Sequence, residues 1–237
     1  MGTKQLKGNG AIREGRIELD VPHLGKTITY ALPLIGPGYH AEVMQEIDEQ
    51  NLVVQEIDAQ NLVRPTAAQV FSLVDLALQN QGEPHCDEII RRFKEECLWA
   101  ATEGLSYPEG LFVYDNIDGK MPQTSEGLLA LISAKDPRVK FVQPGFKTGL
   151  LSLNQFIENP VIIAYVGEEM IPTVERVAKA LNPNETSVYA LDKSNQDTKT
   201  LSGVSGYDGY RLNFHGIYNA GSVGGFASGI LKRQTTD

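Results

Sequence analysis

The sequence predicts an α+β protein. It reads as an N-terminal β-hairpin and three helices, followed by an α/β part with a β-α-β unit around a strand at 161–166. Three observations carry this reading. Residues 67–78 and 86–101 space their apolar side chains at helical intervals. Val161 to Val166 form an unbroken apolar run, the pattern of a strand buried on both faces. Thr27 to Tyr30 are good strand formers and follow a turn signal at His23-Leu24-Gly25-Lys26.

Taken in order, residues 1–10 (MGTKQLKGNG) read as a flexible arm. Residues 11–35 supply the hairpin, with Ile12, Ile17, Leu19 and Val21 set between charges, and Gly36-Pro37-Gly38 then breaks the chain. Glu46–Gln55 (EIDEQNLVVQ) is followed by Glu56–Pro65 (EIDAQNLVRP), identical at seven of ten positions. Two copies are too few for a solenoid, so this is a local tandem duplication. Val43, Met44, Ile47, Val54, Ile57 and Leu62 fall on one stripe, which predicts a helix over 41–62.

Helices are expected over 66–80 (Ala67, Val70, Phe71, Val74, Ala77, Leu78) and 84–103 (Cys86, Ile89, Ile90, Phe93, Cys97, Ala100, Ala101). Pro84 suits the first turn of the latter, and Gly104 suits its end. Beyond it the chain predicts a strand at 111–114, a turn at Asp118-Gly119, and a helix over 126–134 capped by Thr124 or Ser125. A strand at 138–142 follows, then a helical turn over 153–159 capped by Ser152. The apolar run at 161–166 is read as a strand, followed by a helix with the stripe Ile171, Val174, Ala178, Leu181 and a strand at 187–191. Tail strands are expected near 210–215 and 226–231. A boundary near 104–122 would divide an α-rich part (11–103) from an α/β part (104–237). No linker composition marks it, so one continuous domain fits equally.

Composition narrows the function classes. The 237-residue chain is 41% hydrophobic and carries net charge −9, which argues against broad binding to nucleic acid or anionic membranes. No apolar run is long enough to span a bilayer, and the first ten residues lack the apolar core of a signal peptide. Two cysteines make no disulfide framework. A soluble, cytoplasmic protein is expected.

The motifs favour structural readings. Cys86 and Cys97 read as core thiols on one helical stripe. His23, His40, His85 and His215 show no metal-ligand spacing, so no metal is expected. Gly167-Glu168-Glu169 stands where nucleotide folds bind phosphate, yet its two carboxylates repel phosphate and the glycine fingerprints are absent; no cofactor is implied. Asp115 to Gly119 resembles a fragment of a calcium loop, but Ile117 fails at an oxygen-donating position, so a turn is expected. Glu42, Glu46, Asp48, Glu49, Glu56 and Asp58 form an acidic stretch, either a solvated face or a dock for a basic partner.

The tail holds the richest chemistry. Eight of the 23 glycines lie between Gly203 and Gly229, where glycine serves turns or close backbone approach. Were this a site, Arg211 would orient an anion, His215 would transfer a proton and Asp208 would position one of them. Tyr210, Tyr218 and Glu168 are candidate ligand contacts. Because no catalytic motif stands out, the leading expectation is a non-catalytic binding or assembly protein, with a homo-oligomer as the expected partner state. The rival is a small-molecule hydrolase or transferase with its site near 207–218.

Overall fold

The structure, a computed structural model, describes residues 2–13, 18–53, 62–182, 184–189, 198–206, 211–217 and 224–231. Among the described residues the fold is α+β, as expected, with two sheets and seven α-helices. No helix among them is long and apolar enough to cross a membrane.

The first sheet has the order β1-β2-β3-β4-β15-β6. Its strands are β1 (Thr3–Gln5), β2 (Ala11–Arg13), β3 (Glu18–His23), β4 (Lys26–Ala31), β6 (Leu62–Val63) and β15 (Ile230–Leu231). The expected hairpin is β3–β4, turning at Leu24-Gly25, where Gly25 has φ +75°. The expected arm carries β1, which pairs antiparallel with β2. Its continuation is fixed where the Asn80 side chain accepts from Lys7 N and donates to Lys7 O.

The second sheet has the order β10-β11-β13-β12-β7-β14-β5, with β8 on β7 and β9 on β8. These strands are β5 (Ile35–Gly38), β7 (Cys97–Tyr107), β8 (Gly110–Asp115), β9 (Val139–Val142), β10 (Gly149–Leu151), β11 (Thr186–Tyr189), β12 (Thr198–Ser205), β13 (Leu212–Ile217) and β14 (Gly225–Ala227). Chain ends meet in both sheets: β14 lies between β5 and β7, and β15 between β4 and β6.

Helices cover the second sheet on both faces. On one side lie α2 (Ala67–Gln79), α5 (Leu153–Ile157), α6 (Pro160–Val166) and α7 (Ile171–Leu181), packed on Leu98, Ala100, Val188, Val204, Leu212 and Phe214. On the other lies α1 (His40–Val53), whose Val43, Met44 and Ile47 pack with Cys97, Trp99 and Ala101. α3 (Pro84–Glu95) and part of α2 seat the first sheet, and α4 (Ser125–Ser133) caps the β8–β9 end. α2 begins with a capping box. Thr66 Oγ1 accepts from Gln69 N at 3.3 Å, and Gln69 Oε1 accepts from Thr66 N at 2.8 Å.

Three expected boundaries change. The helix read over 84–103 ends at Glu95, and Cys97–Tyr107 is a strand. A strand buried on both faces has no polar side to reveal its period. Cys86 and Cys97 therefore occupy different elements; both are buried, and burial pushes the Cys86 thiol up to about 11 and raises Cys97 as well. The strand read at 161–166 is helix α6, so the β-α-β unit around it is not formed. Asn159 caps that helix, with Pro160 in its first turn. α1 is helical to Val53, Leu62 belongs to strand β6, and 54–61, with most of the second repeat copy, lies outside the described residues.

Two tail glycines are explained by packing. Trp99 is fully buried, and a Cβ at Gly203 would stand 2.2 Å from Cys97 Sγ and 2.9 Å from the Trp99 ring. A Cβ at Gly225 would stand 2.5 Å from Trp99 Nε1 and 2.6 Å from the Cys97 carbonyl oxygen. The close approach is to a core indole. Gly203→Ala is expected to cost about 1–3 kcal/mol through overpacking, and Thr66→Ala about 1 kcal/mol through loss of the cap. Urea unfolding monitored by circular dichroism measures both.

Candidate functional site

The tail residues singled out above fall into two groups. Asp208, Tyr210 and Tyr218 lie outside the described residues. Arg211 lies just before β13 and His215 within it, and the alternation of the strand places them on one side. Leu212 and Phe214 point the other way, into the core beneath α5–α7.

On the His215 side the sheet buries a polar row. Ser205 Oγ lies 2.8 Å from His215 Nε2, and the Ser187 hydroxyl donates to Asn213 Oδ1. Burial draws the His215 imidazole down to about 4, so the ring is neutral at pH 7. A serine hydroxyl beside a neutral imidazole is half of a nucleophile–base device. Ser205 is only 1% exposed, however, which closes its oxygen to a substrate in this state. Arg211 Nη1 lies 3.6 Å from Glu185 Oε2, a partner from the segment leading into β11. Among the described residues His215 thus meets Ser205 of the neighbouring strand, and Arg211 meets Glu185 just before β11.

Glu168 stands apart from this row. It is exposed, in a short 3-10 turn (Glu168–Met170) between α6 and α7, and borders an open groove of about 1070 Å³. Arg211 and His215 do not line that groove. One wall is β9 with the irregular stretch that follows it, from Lys140 to Lys147; the other is Gln155, Glu158 and the start of α6. Asn159 ties the walls together. Its Oδ1 accepts from Val161 N at 3.0 Å, capping α6, while its Nδ2 donates to the Lys147 carbonyl at 2.8 Å. Asn159 is 3% exposed, so this bond is shielded from water.

The groove is chemically mixed. Phe141, Phe146 and Ile163 offer apolar surface, Lys140 and Lys147 offer cations, and Glu158, Glu168 and Glu169 offer carboxylates. Sequence reasoning found only Glu168 and Glu169 here. Phe146 and Lys147 sit in a stretch with no periodicity, and the available signal was Asn159-Pro160, an N-cap followed by a first-turn proline. Among the described residues no group of three or more His, Cys, Asp or Glu side chains could hold a metal ion.

No protein-family model matches the chain, and no curated protein matches it. A solved structure does, described as the accommodation of massive sequence variation in Nanoarchaeota by the C-type lectin fold. Its TM-score is 0.52 at 12% identity, over 93% of this chain and 99% of that one. What the two share is the fold. The long, irregular connections seen here, such as 143–148, join elements of a C-type lectin-like scaffold.

The buried imidazole makes a pH prediction. His215 has a folded value near 4 against an ordinary 6.5, so the unfolded chain takes up the proton first. Its contribution to stability is intact above about pH 6.5 and is lost as pH falls through that window toward 4. His23, also drawn down chiefly by burial, acts in the same direction. His215→Gln should therefore flatten, without abolishing, the fall in unfolding free energy between pH 7 and pH 5, measured by urea titration of both proteins.

Proposed function

We propose that this is a non-catalytic binding protein that takes its ligand in the groove between 140–147 and 158–169. The observation that carries the reading is the construction of that groove. An irregular, solvent-facing stretch is anchored through one buried asparagine to a capped helix on a dense core. Rigid support beneath a variable loop is what recognition requires, because little ordering entropy remains to be lost on binding. The fold comparison supports it. In the Nanoarchaeota protein the C-type lectin fold accommodates massive sequence variation. On this reading the irregular stretch 143–148, set on the core, is the part of this chain that adapts to a ligand.

The volume, about 1070 Å³, lies at the upper end for small-molecule sites. Its openness and mixed charges suit an extended ligand, such as a peptide segment, better than an enclosed one. The test is a displayed peptide library panned on the protein, with hits re-measured against Phe146→Ala and Lys147→Glu. Binding should weaken at least tenfold in one or both variants while melting temperatures stay within a few degrees. Hits indifferent to both variants contradict the reading. So does turnover of ester or amide substrates that disappears in His215→Ala, the outcome expected of the hydrolase or transferase alternative.

Assembly is the second part of the proposal. Among the described residues β10 ends the second sheet, and it carries Leu150, 62% exposed. Light scattering should give a mass about twice the 26.0 kDa chain, reverting to that of the chain in Leu150→Lys. A wild-type mass equal to one chain contradicts it.

A further inference from the structure

β9 borders the groove with its backbone edge as well as its side chains. Among the described residues it pairs only with β8. Lys140, Phe141 and Val142 all line the groove, although successive residues of a strand point to opposite faces. A strand that meets a groove edge-on leaves that footprint.

The ladder fixes which backbone groups lie on the open edge. Asp115 N donates to the Arg138 carbonyl at 3.1 Å, so Asp115 and Arg138 form a hydrogen-bonded pair. Bonded pairs alternate along an antiparallel register, so Val113–Lys140 and Leu111–Val142 are bonded too. Tyr114–Val139 and Phe112–Phe141 are the non-bonded pairs, and Val139 and Phe141 turn their N–H and C=O away from β8. The far side of β8 agrees. Asn116 N donates to the Ala101 carbonyl at 2.8 Å, which puts Tyr114 and Phe112 in the pairs bonded to β7. Val139 N is already taken by the Asp136 carbonyl at 3.2 Å. Toward the other end Pro144 has no N–H to offer. The open edge is short and centres on Phe141, whose N–H and C=O have no backbone partner among the described residues.

The two faces beside this edge differ. Phe141 lies on the side of Phe112 and Tyr107, with ring centroids 5.2 Å and 6.2 Å away. Lys140 and Val142 lie on the side of α6, where Ile163 and Ala164 give the groove an apolar wall. Glu168 and Glu169, both exposed, follow that helix, and among the described residues neither makes a salt bridge.

We infer that the groove takes a peptide segment of a partner protein as an added antiparallel strand on β9, in the pattern apolar–x–Lys or Arg. This rests on the groove reading and deepens it. An antiparallel partner closes both bonds on one residue, which suits so short an edge. Residue x donates to the Phe141 carbonyl and accepts from the Phe141 N–H. Its two neighbours then point to the opposite face, toward α6, about 7 Å apart. The apolar one packs on Ile163 and Ala164, and the cation meets Glu168 and Glu169.

The test titrates the blocked pentapeptide acetyl-Thr-Val-Thr-Lys-Thr-amide into the ¹⁵N-labelled full chain. Saturation should slow exchange of the Phe141 amide proton at least tenfold. N-methylation of the central threonine should weaken binding at least tenfold. N-methylation of the valine or the lysine, whose amides face away from β9, should leave it within about twofold. Glu168→Gln combined with Glu169→Gln should weaken this peptide and leave its norleucine-for-lysine analogue unchanged. The inference is overturned by an absence of saturable shifts, by a Phe141 amide that exchanges as fast in the complex as in the free chain, or by equal sensitivity to all three N-methylations. Protection of Phe141 that grows with protein concentration before peptide is added gives the edge to a second copy of this chain, and also overturns it. After any of these results the groove still stands if panned peptides lose affinity in Phe146→Ala or Lys147→Glu, and falls if they do not.

Discussion

The seating of one indole organises the second sheet. Trp99, the chain's single tryptophan, lies on β7 with no exposed surface. An indole that large fits at the centre of a sheet only where neighbouring strands omit their side chains. β12 does so at Gly203, directly opposite Trp99, and β14 does so at Gly225, opposite Cys97. The ring is then satisfied and braced, with Nε1 donating to the Gly38 carbonyl at 3.1 Å and the His40 ring against its edge. Residues from three distant parts of the chain, 38–40, 203 and 225, meet at this one side chain.

β7 is buried on both faces, and its alternation separates two environments. Leu98 and Ala100 face the helices α2 and α5–α7, whose connections build the open groove. Cys97, Trp99 and Ala101 face α1, and the same side continues to Glu103, where the apolar lining gives way to a carboxylate. The groove is made by loops on the finished core. On the other side Glu103 interrupts the apolar face of β7, which resumes at the buried Leu105.

Much of the fold was legible where one face of an element meets water. The hairpin β3–β4 and helices α2, α4 and α7 stand where spacing and caps placed them, and α3 begins as read. The errors share one physical cause. Cys97–Ala101 and Val161–Val166 are apolar without interruption, because the first is enclosed on both faces and the second on all but the groove side at Ile163, and such a segment shows no period. The first was absorbed into a helix and the second taken for a strand, although Asn159-Pro160 marked a helix start. At the candidate site, the shared side of Arg211 and His215 was readable from spacing. What was not readable was that Asn213 and His215, on this side, are met by Ser187 and Ser205 of the neighbouring strands, since such pairing depends on partners remote in sequence. The glycine-rich tail invited a ligand reading. At two of its positions the close-approaching group is the protein's own tryptophan.

Because the chain has one tryptophan, its fluorescence reports on this seat alone. Acrylamide quenching of Trp99 across a urea titration is the most direct test. The account predicts blue-shifted emission that acrylamide barely quenches, persisting until a single cooperative transition releases the indole to water. Emission at the wavelength of a hydrated indole, or ready quenching before that transition, would contradict it.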